Sequence, residues 1–587
     1  MCGIAGLMTR DGRPPDAAAL AAMSAALVHR GPDGDGSYAK GDVGMVHRRL
    51  AIIDLDTGDQ PLGDGGGAAL VANGEIYNYV ELRRELGEAN FATASDCETP
   101  LHLYAADGVA FAERLRGMYA IALHDPIAGR LLLSRDPFGI KPLYYAETDK
   151  GFAFASEIGA FVAAGLVRPR IVSDRRDELL QLQFTTGRET IYAGVNRVLP
   201  GETVIVAGGR IVERRRIEAL PAGGPTLADE SEALAALETA LTDSVGLHQR
   251  ADVPYGMFLS GGVDSSALLA LMARLNARPV RAFTAGFAGA GVPDERAHAR
   301  AVARAVGAEH VEVSFDEADF WALLPRIVAS MDDPAADYAV LPTYKLAAEA
   351  GRDLKVVLCG EGGDELFAGY GRYRSLGRPW WRGGRRLRAR GTFDGLGVLR
   401  DGPSGWRDGI GASEIAEARP ERTRLQTGQA VDCADWLPND LLIKLDRCLM
   451  AHGVEGRTPF LDPAVAAVGF GLADPLKIRN GTGKWLLRRW LADALPEAAP
   501  FARKRGFTVP VGEWIAAKGA RLGALVAAQP CIAEIADPKR AAALFAATGK
   551  RPRFAAWTLL YYALWHRCHV EGRPMAGDAL EILADRR

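Results

Sequence analysis

Cysteine is sparse in this 587-residue chain and badly spaced for staples or metal: the seven thiols, at 2, 97, 359, 433, 448, 531 and 568, include no Cys-x-x-Cys pair. This argues against a disulfide framework or a zinc-type site and describes a set of reduced thiols. Long apolar runs are missing too. None approaches the roughly 18 residues of a membrane span, and no basic stretch followed by an apolar one opens the chain. With 70 Lys and Arg against 73 Asp and Glu, the net charge of -3 supplies no global attraction to nucleic acid or membrane. A Walker-type G-x-x-x-x-G-K-[ST] loop is also absent, since Gly481-Thr482-Gly483-Lys484-Trp485 lacks the first glycine and the final hydroxyl. These absences predict a cytoplasmic protein that partners neither nucleic acid nor membrane.

What is present starts at the second residue. Trimming Met1 would leave Cys2 carrying both a thiol and a free α-amine. An α-amine titrates near ~7.7 to 8.0, so it can take a thiol proton at neutral pH, which a side-chain amine near ~10.4 cannot do without large perturbation. At this length the chain should divide into two large domains, and an apolar content of 48% with 24% charged residues is ordinary for globular cores.

From Gly3 to about Glu202 short apolar runs (Val43 to Val46, Leu50 to Ile53, Ala68 to Ala72, Tyr119 to His124, Arg130 to Ser134) lie between Gly, Asp, Asn and Pro clusters. This predicts antiparallel sheets, covered by helices near Asp16 to Val28 and Tyr79 to Leu86. Five motifs stand in order: His29-Arg30-Gly31-Pro32-Asp33-Gly34, His47-Arg48-Arg49-Leu50-Ala51-Ile52-Ile53-Asp54, Asn73-Gly74-Glu75-Ile76-Tyr77-Asn78, Ser95-Asp96-Cys97-Glu98, and the run from Arg135-Asp136-Pro137-Phe138-Gly139 to Tyr144. With Cys2 they resemble the N-terminal-nucleophile (Ntn) glutaminase domain of class II amidotransferases. That resemblance implies a glutamine site with Cys2 as nucleophile. Arg49 would fork onto the α-carboxylate, and Glu75 with Asp96 would receive the ammonium. The Asn73 side chain and Gly74 N–H would form the oxyanion hole. Gly74 also suits a tight turn with positive φ. Taken singly, Asn73-Gly74 is equally a hairpin turn, Arg49 a surface ion pair and Asp96 a helix cap.

Between about Ala207 and Pro225, Gly208-Gly209, Arg214-Arg215-Arg216 and Pro221-Ala222-Gly223-Gly224-Pro225 mark a boundary. The expected division is a glutaminase domain at 2–205, a linker at 206–227 and a second domain at 228–587. Helical periodicity resumes over Ala228 to Val245. Beyond it, Pro254 to Leu259 has the pattern of a buried strand, Ser260-Gly261-Gly262-Val263-Asp264-Ser265-Ser266 of a loop, and Ala267 to Leu275 of a helix. Strands at Val280 to Phe287, His310 to Ser314 and Lys355 to Leu358 alternate with helices such as Asp294 to Val306, and Cys359-Gly360-Glu361-Gly362-Gly363-Asp364-Glu365 follows the last. Alternation of this kind predicts a parallel sheet with glycine-rich loops at its carboxyl edge.

The serine-glycine loop looks like the pyrophosphate loop of ATP-pyrophosphatases, and the string from Leu259 to Gly369 resembles the synthetase domain of glutamine-dependent asparagine synthetases. The implied architecture is mixed α/β and α+β: an Ntn-hydrolase α/β/β/α sandwich, then an adenine nucleotide alpha hydrolase-like parallel sheet with a helical C-terminal part. The implied chemistry converts aspartate to asparagine through a β-aspartyl-adenylate, consuming glutamine and ATP and giving glutamate, AMP and pyrophosphate. The resemblance places Leu259, Ala285 and Gly360 on the adenosine, Ser260, Gly261, Gly262 and Ser265 with Asp264 around the phosphates, and Asp264 and Asp364 on Mg²⁺. Glu361 would assist ammonia attack and Lys484 the adenylation. Cys359 replaces the family's usual Ser and is a weaker donor. Asp264 and Asp364 are alternatively helix caps. Leu437-Pro438-Asn439-Asp440-Leu441-Leu442, Lys444-Leu445-Asp446-Arg447 and Glu455 to Asp462 also match, on expected wall helices whose charges could be structural ion pairs; Thr458 stands for the usual Val. Arg503-Lys504-Arg505-Gly506-Phe507 is either a basic segment near pyrophosphate or surface. The arginines from Arg372 to Arg390 point to a surface or acceptor-side segment more than to nucleic acid.

Family kinship further implies an interior ammonia channel and a homodimer. A different carboxylate acceptor (peptide, cell-wall or polysaccharide) stays open, as does a non-catalytic homologue. Retention of Cys2, Asp264, Asp364 and Lys484 argues against the latter.

Overall fold

Period-two burial in the first half builds two stacked antiparallel sheets. The computed structural model describes residues 2–585 apart from 288–294, 377, 379–380, 382–385, 401, 403–404 and 503–508. The Arg503 to Phe507 motif, the helix start at Asp294, and Trp380, Arg382 and Arg385 therefore lie outside the described residues. In chain order the strands of the first half are β1 (Gly3–Thr9), β2 (Gly34–Lys40), β3 (Val43–Arg49), β4 (Leu62–Gly63), β5 (Ala69–Ile76), β6 (Gly117–Asp125), β7 (Arg130–Arg135), β8 (Tyr144–Thr148), β9 (Gly151–Ala155), β10 (Val195–Arg197), β11 (Glu202–Ala207) and β12 (Arg210–Arg216). One sheet runs β10-β8-β9-β1-β3-β2 and the other β12-β11-β7-β6-β5-β4.

Strand β1 shows why these sheets stack. Ile4 and Met8 point into the inter-sheet core with Met45, Val71, Leu133 and Phe154, while Ala5 and Leu7 point to the outer core with Leu20 and Met23 of the helix Ala17–Ala26. On the far side Leu70, Ala72 and Ile121 pack against Leu101 and Tyr104 of the helix Thr99–Asp107. The result is the four-layer α/β/β/α sandwich expected of an Ntn-type domain. β1 is a central strand, paired with β3 from Gly3 and with β9 from Ala5, and Cys2 immediately precedes it.

The second half contains a five-stranded parallel sheet. Its strands are β13 (Tyr255–Phe258), β14 (Arg281–Phe287), β15 (Glu309–Phe315), β16 (Val356–Leu358) and β17 (Glu455–Arg457), in the order β15-β14-β13-β16-β17. The chain builds outward from β13 on one side and from β16 on the other. The crevice beyond the carboxyl ends of β13 and β16 is therefore the topological switch point, where open parallel sheets bind ligands. Helices complete the C-terminal part, the longest there being Lys550–His569.

Three expectations need correction. Leu50 to Ile53 is not a strand but an extended connection; Leu50, Ile52 and Ile53 are buried against the second half instead. Residues 210–216 of the expected linker form the edge strand β12, where Arg214 donates to Glu202 Oε1 (3.0 Å) and to the Tyr145 hydroxyl (2.7 Å). Charged side chains of this kind keep an edge strand solvated. Finally, the helix after β13 starts at Val263, inside the serine-glycine motif, so Asp264 and Ser265 belong to its first turn.

The two halves share cores and buried charges. Leu50, Tyr77, Met118 and Phe138 pack with Leu237, Leu241 and Leu259 across the boundary. Arg197 of β10 forks onto Asp333 through Nε (2.8 Å) and Nη2 (2.7 Å), with each side chain only 3% exposed, and Tyr144 donates its hydroxyl to the same carboxylate (2.9 Å). Removing one partner of such a pair strands the other charge in a low-dielectric interior. Asp333→Ala is expected to cost about 3 kcal/mol or more of stability, read from urea melts; a loss below about 1 kcal/mol, the worth of an exposed pair, would contradict the buried-pair assignment.

Candidate active sites

At the first site, the Cys2 N–H donates to Asn73 Oδ1 (3.0 Å), and the Cys2 carbonyl accepts from Arg30 Nε (3.1 Å). Burial pushes the Cys2 thiol up, while the positive chain terminus and the Leu50 N–H oppose that rise. Since Asn73 Oδ1 is engaged, its Nδ2 is the free end of the amide, and it is buried without a hydrogen-bond partner.

Gly74 is not in a turn. It lies within β5 opposite Tyr119 of β6, and its φ is not positive. Glycine is required because a Cβ would stand 2.4 Å from Met118 O and 2.7 Å from Tyr119 Cα. Tyr119 gives its own N–H to Asp136 Oδ2 (3.3 Å) and its C=O to the Asp136 N–H (2.9 Å). The Tyr119–Gly74 pair is thus a non-hydrogen-bonded one, and the Gly74 N–H faces away from β6. On that same side the N–H of Ala72 donates to Gln60 Oε1 (2.6 Å) and that of Ile76 to Asp96 Oδ2 (2.7 Å). Gly74 lies between them.

The expected glutamine ligands surround this edge. Asp96 is not a helix cap, a role that Ser95 fills; burial raises its pKa to about 6 against the Ile76 N–H. Glu75 is also raised, by burial, despite the Arg457 Nη2 that donates to its Oε2 (2.9 Å); its Oε1 is buried and unpartnered. Arg49 donates to Asp59 Oδ1 (2.8 Å) and to the carbonyls of Ile53 and Asp54. Asp59 is 79% exposed, so that contact is one a bound carboxylate could replace.

The second site is a cleft of about 430 Å³ at the switch point. The serine-glycine loop and the loop after β16 line it together, bringing Leu259 through Ser265, Ala285, Cys359, Gly360, Glu361, Asp364 and Lys484 to one wall system. Gly261 (φ +71°) takes the left-handed conformation that the turn before the helix needs. Lys484 Nζ is paired with both Asp264 and Asp364 (2.7 Å to Asp364 Oδ1). Burial alone would lower the Lys484 pKa, but the two carboxylates hold it above the ordinary range. Burial also raises the Glu361 carboxyl, against the pull of Lys444. Cys359 is buried, with its N–H on Arg457 O (2.8 Å) and its Sγ 3.9 Å from Val357 O, so the substituted thiol turns back toward its own strand. Among the described residues no group of three or more His, Cys, Asp or Glu forms a ready metal cage. None of their helices is long and apolar enough to cross a membrane.

Residues 236–567 match the profile of the asparagine synthase family, and residues 1–216 match that of the glutamine amidotransferase domain. The chain belongs to the asparagine synthase family. It is 35% identical to a putative glutamine-hydrolysing asparagine synthetase of Mycobacterium tuberculosis, over 94% of each chain. It is 34% identical to asparagine synthetase 1 of Bacillus subtilis over 88% of each, and 29% identical to asparagine synthetase B of Escherichia coli over 84% of this chain and 79% of that one. A Penicillium rubens protein named as an amidase shares 32% identity over 64% of this chain and 60% of its own.

Several groups in these asparagine synthase family sites escaped sequence reasoning. Arg30 was visible only as part of a motif, yet it grips the Cys2 carbonyl. Lys444, expected on a wall helix but given no role of its own, enters the cleft one helical turn after Asp440. Tyr370 and Arg488 also line it. Gly369 permits the central charge cluster, since a Cβ there would stand 1.8 Å from Asp364 Oδ1 and 2.2 Å from Lys484 Cε. Gly369→Ala must separate that pair. ATP-dependent turnover is expected to fall at least about a hundredfold, the usual effect of losing a charge-stabilising contact, while glutamate release from glutamine persists. Equal loss of both activities would contradict this assignment.

Proposed function

We propose that this enzyme hydrolyses glutamine at Cys2 and uses the ammonia to amidate a carboxylate activated by ATP, with aspartate as acceptor and asparagine, glutamate, AMP and pyrophosphate as products. The observation that carries the reading is the conjunction of the Asn73 amide, pinned by the Cys2 N–H with its Nδ2 free, and the Lys484–Asp264–Asp364 cluster in a separate cleft.

At the first site the α-amine of trimmed Cys2 takes the thiol proton, and the thiolate attacks the glutamine side-chain carbonyl. Asn73 Nδ2 and the Gly74 N–H receive the oxyanion; both donors are set in advance, one by Cys2 and the other by the β5–β6 register. Collapse breaks the C–N bond as the α-ammonium returns its proton to the leaving nitrogen, releasing ammonia and leaving a thioester, which water cleaves to glutamate and the Cys2 thiol. Arg49 holds the α-carboxylate, exchanging Asp59 for it. Asp96 and Glu75 hold the ammonium. At the second site the loop amides and hydroxyls from Ser260 to Ser265, at the start of the helix Val263–Leu275, cradle phosphate. Leu259, Ala285 and Gly360 contact the adenosine, largely through backbone. The acceptor carboxylate oxygen attacks the α-phosphorus, the bond to pyrophosphate breaks, and Lys484 offsets the growing charge. Ammonia then displaces AMP from the acyl carbon, losing a proton, with Glu361 beside it.

Asp264 and Asp364, in the first turns of the helices Val263–Leu275 and Gly363–Leu366, are hard oxygen donors and fit Mg²⁺, which prefers one or two carboxylates together with phosphate oxygens and water. When bound, the ion would neutralise charge on the leaving pyrophosphate. Ammonia transfer within the protein keeps it unprotonated and nucleophilic.

Trimmed protein supplied with glutamine, ATP, Mg²⁺ and L-aspartate should give the four products in equal amounts. Cys2→Ala should lose glutamine-driven synthesis and keep synthesis from added ammonia. Glutamate release without asparagine or AMP would exclude aspartate as acceptor. Because Asp96 must be ionised to take an ammonium and titrates near about 6, the KM for glutamine should rise as pH falls through that value. Asp96→Asn should remove that dependence; a pH profile unchanged in the variant would exclude the role.

A further inference from the structure

Beside the ATP cleft lies a polar cluster that the chemistry above leaves unused. Its backbone is an eleven-residue π-helical stretch, Asp432–Leu442, which runs straight into the α-helix Ile443–Met450 that carries Lys444. π-Helical winding is rare, occurs mostly as single turns and is frequent at functional sites. Within this stretch Asp440 is completely buried, and neither of its carboxylate oxygens has a hydrogen-bond partner. Its chain neighbour Leu441 lines the cleft, as does Lys444 one turn on. An ion-pair reading of these wall charges fits Asp446 and Arg447, which are paired, but not Asp440.

Arg388 is the complement. It has a strained backbone (φ +46°), and its guanidinium stacks 3.9 Å over the Trp436 ring. Its Nε and Nη2 are buried without hydrogen-bond partners; Nη2 stands 4.0 Å from Asp432 Oδ1, beyond bonding reach. That carboxylate is already engaged by Arg372 Nε (2.9 Å) and the Tyr373 hydroxyl (2.6 Å). Nε and Nη2 form the edge of a guanidinium that forks onto a carboxylate. Leaving a buried carboxylate and a buried two-donor edge unsatisfied is costly, unless something that binds in turn satisfies both.

An ammonium and a carboxylate on one carbon would do so. We propose that Asp440 and Arg388 recognise the α-ammonium and α-carboxylate of a free α-amino acid acceptor, whose side-chain carboxylate extends toward Lys444 and Glu361. The inference rests on the amidotransferase reading and adds the residues that would select a free amino dicarboxylate over an aspartyl residue within a peptide, whose α-nitrogen carries no charge. The groups facing Asp440 include Asp337, Lys444, Arg388 and Arg372, and the Tyr561 hydroxyl of the helix Lys550–His569. Burial, reinforced by Asp337, holds its carboxyl protonated well above the usual range. An incoming ammonium favours the ionised form, so acceptor binding releases a proton and tightens as pH rises.

Acceptor kinetics of the full-length protein with L-aspartate, succinate and N-acetyl-L-aspartate provide the test. Only L-aspartate should be amidated efficiently. Asp440→Asn should raise its KM at least about tenfold, as loss of a charged hydrogen bond does, and flatten the pH dependence of that KM, with kcat at saturating aspartate and KM for ATP little changed. Arg388→Lys should raise the aspartate KM without flattening the pH profile, and it carries the test if Asp440→Asn fails to fold. An Asp440→Asn enzyme with parental aspartate KM and pH profile overturns the inference. Amidation of N-acetyl-L-aspartate as readily as L-aspartate overturns it too and leaves the amidotransferase reading standing. No amide and no AMP with any acceptor overturns both.

Discussion

A buried charge lattice between the two halves is the constraint on which both sites depend. Arg30, fully buried, bonds the Cys2 carbonyl and reaches across to Asp446 (2.8 and 3.0 Å) and back to Glu157 (2.7 Å). Arg447 closes the circuit on Asp332 (2.9 Å) and Asp446 (3.2 Å). Burial alone would push Glu157 and Asp446 up, yet the surrounding cations hold both below the ordinary carboxylate range. Charges so deep are tolerable only with every partner in place, so the halves cannot slide without stranding an ion. Cys2 is thereby fixed against the same helix, Ile443–Met450, that carries Lys444 into the other cleft.

A second link works through the parallel sheet. Arg457 ends β17 and donates to Glu75 of the glutaminase edge (2.9 Å) and to Glu455 (2.6 Å), while its carbonyl accepts the Cys359 N–H (2.8 Å) at the head of the loop bearing Glu361 and Asp364. One residue thus pairs with a candidate glutamine ligand and positions the start of the loop that lines the second cleft. The switch point between β13 and β16 then places both glycine-rich loops over one crevice. Side chains far apart in sequence, Asp264, Asp364 and Lys484, meet there as a single charge cluster.

Local chemistry was legible in the sequence, whereas long-range partnership was not. Cys2, the serine-glycine run and the run from Cys359 to Glu365 stand out because each candidate motif is made of consecutive residues. The antiparallel sheets with their covering helices and the parallel sheet followed from periodicity and element alternation, and the four-layer order from the family resemblance. Gly74 was misplaced because Asn-Gly is a turn signal and nothing local reveals that Tyr119 packs across from it. Leu50 to Ile53 has the composition of a strand, but its apolar side chains are claimed by the other half. Arg372 and Arg388, in a basic run expected at the surface or on the acceptor side, turn inward because Asp432, Tyr370 and Trp436 offer them pairing and stacking. Tertiary structure also separated Asp440, without a partner, from Asp446 and Arg447 on the continuing helix.

Two sites locked by buried charge should operate as one, with ammonia made at Cys2 delivered inside the protein. The most direct measurement supplies glutamine labelled with heavy nitrogen at the side-chain amide, together with ATP, Mg²⁺, the acceptor and an excess of unlabelled ammonium, and follows the label into the product amide by mass spectrometry. Internal delivery predicts a product carrying the glutamine label almost undiluted. Label diluted to the bulk ammonium ratio would mean that ammonia leaves the protein before it reacts, contradicting a coupled pair of sites.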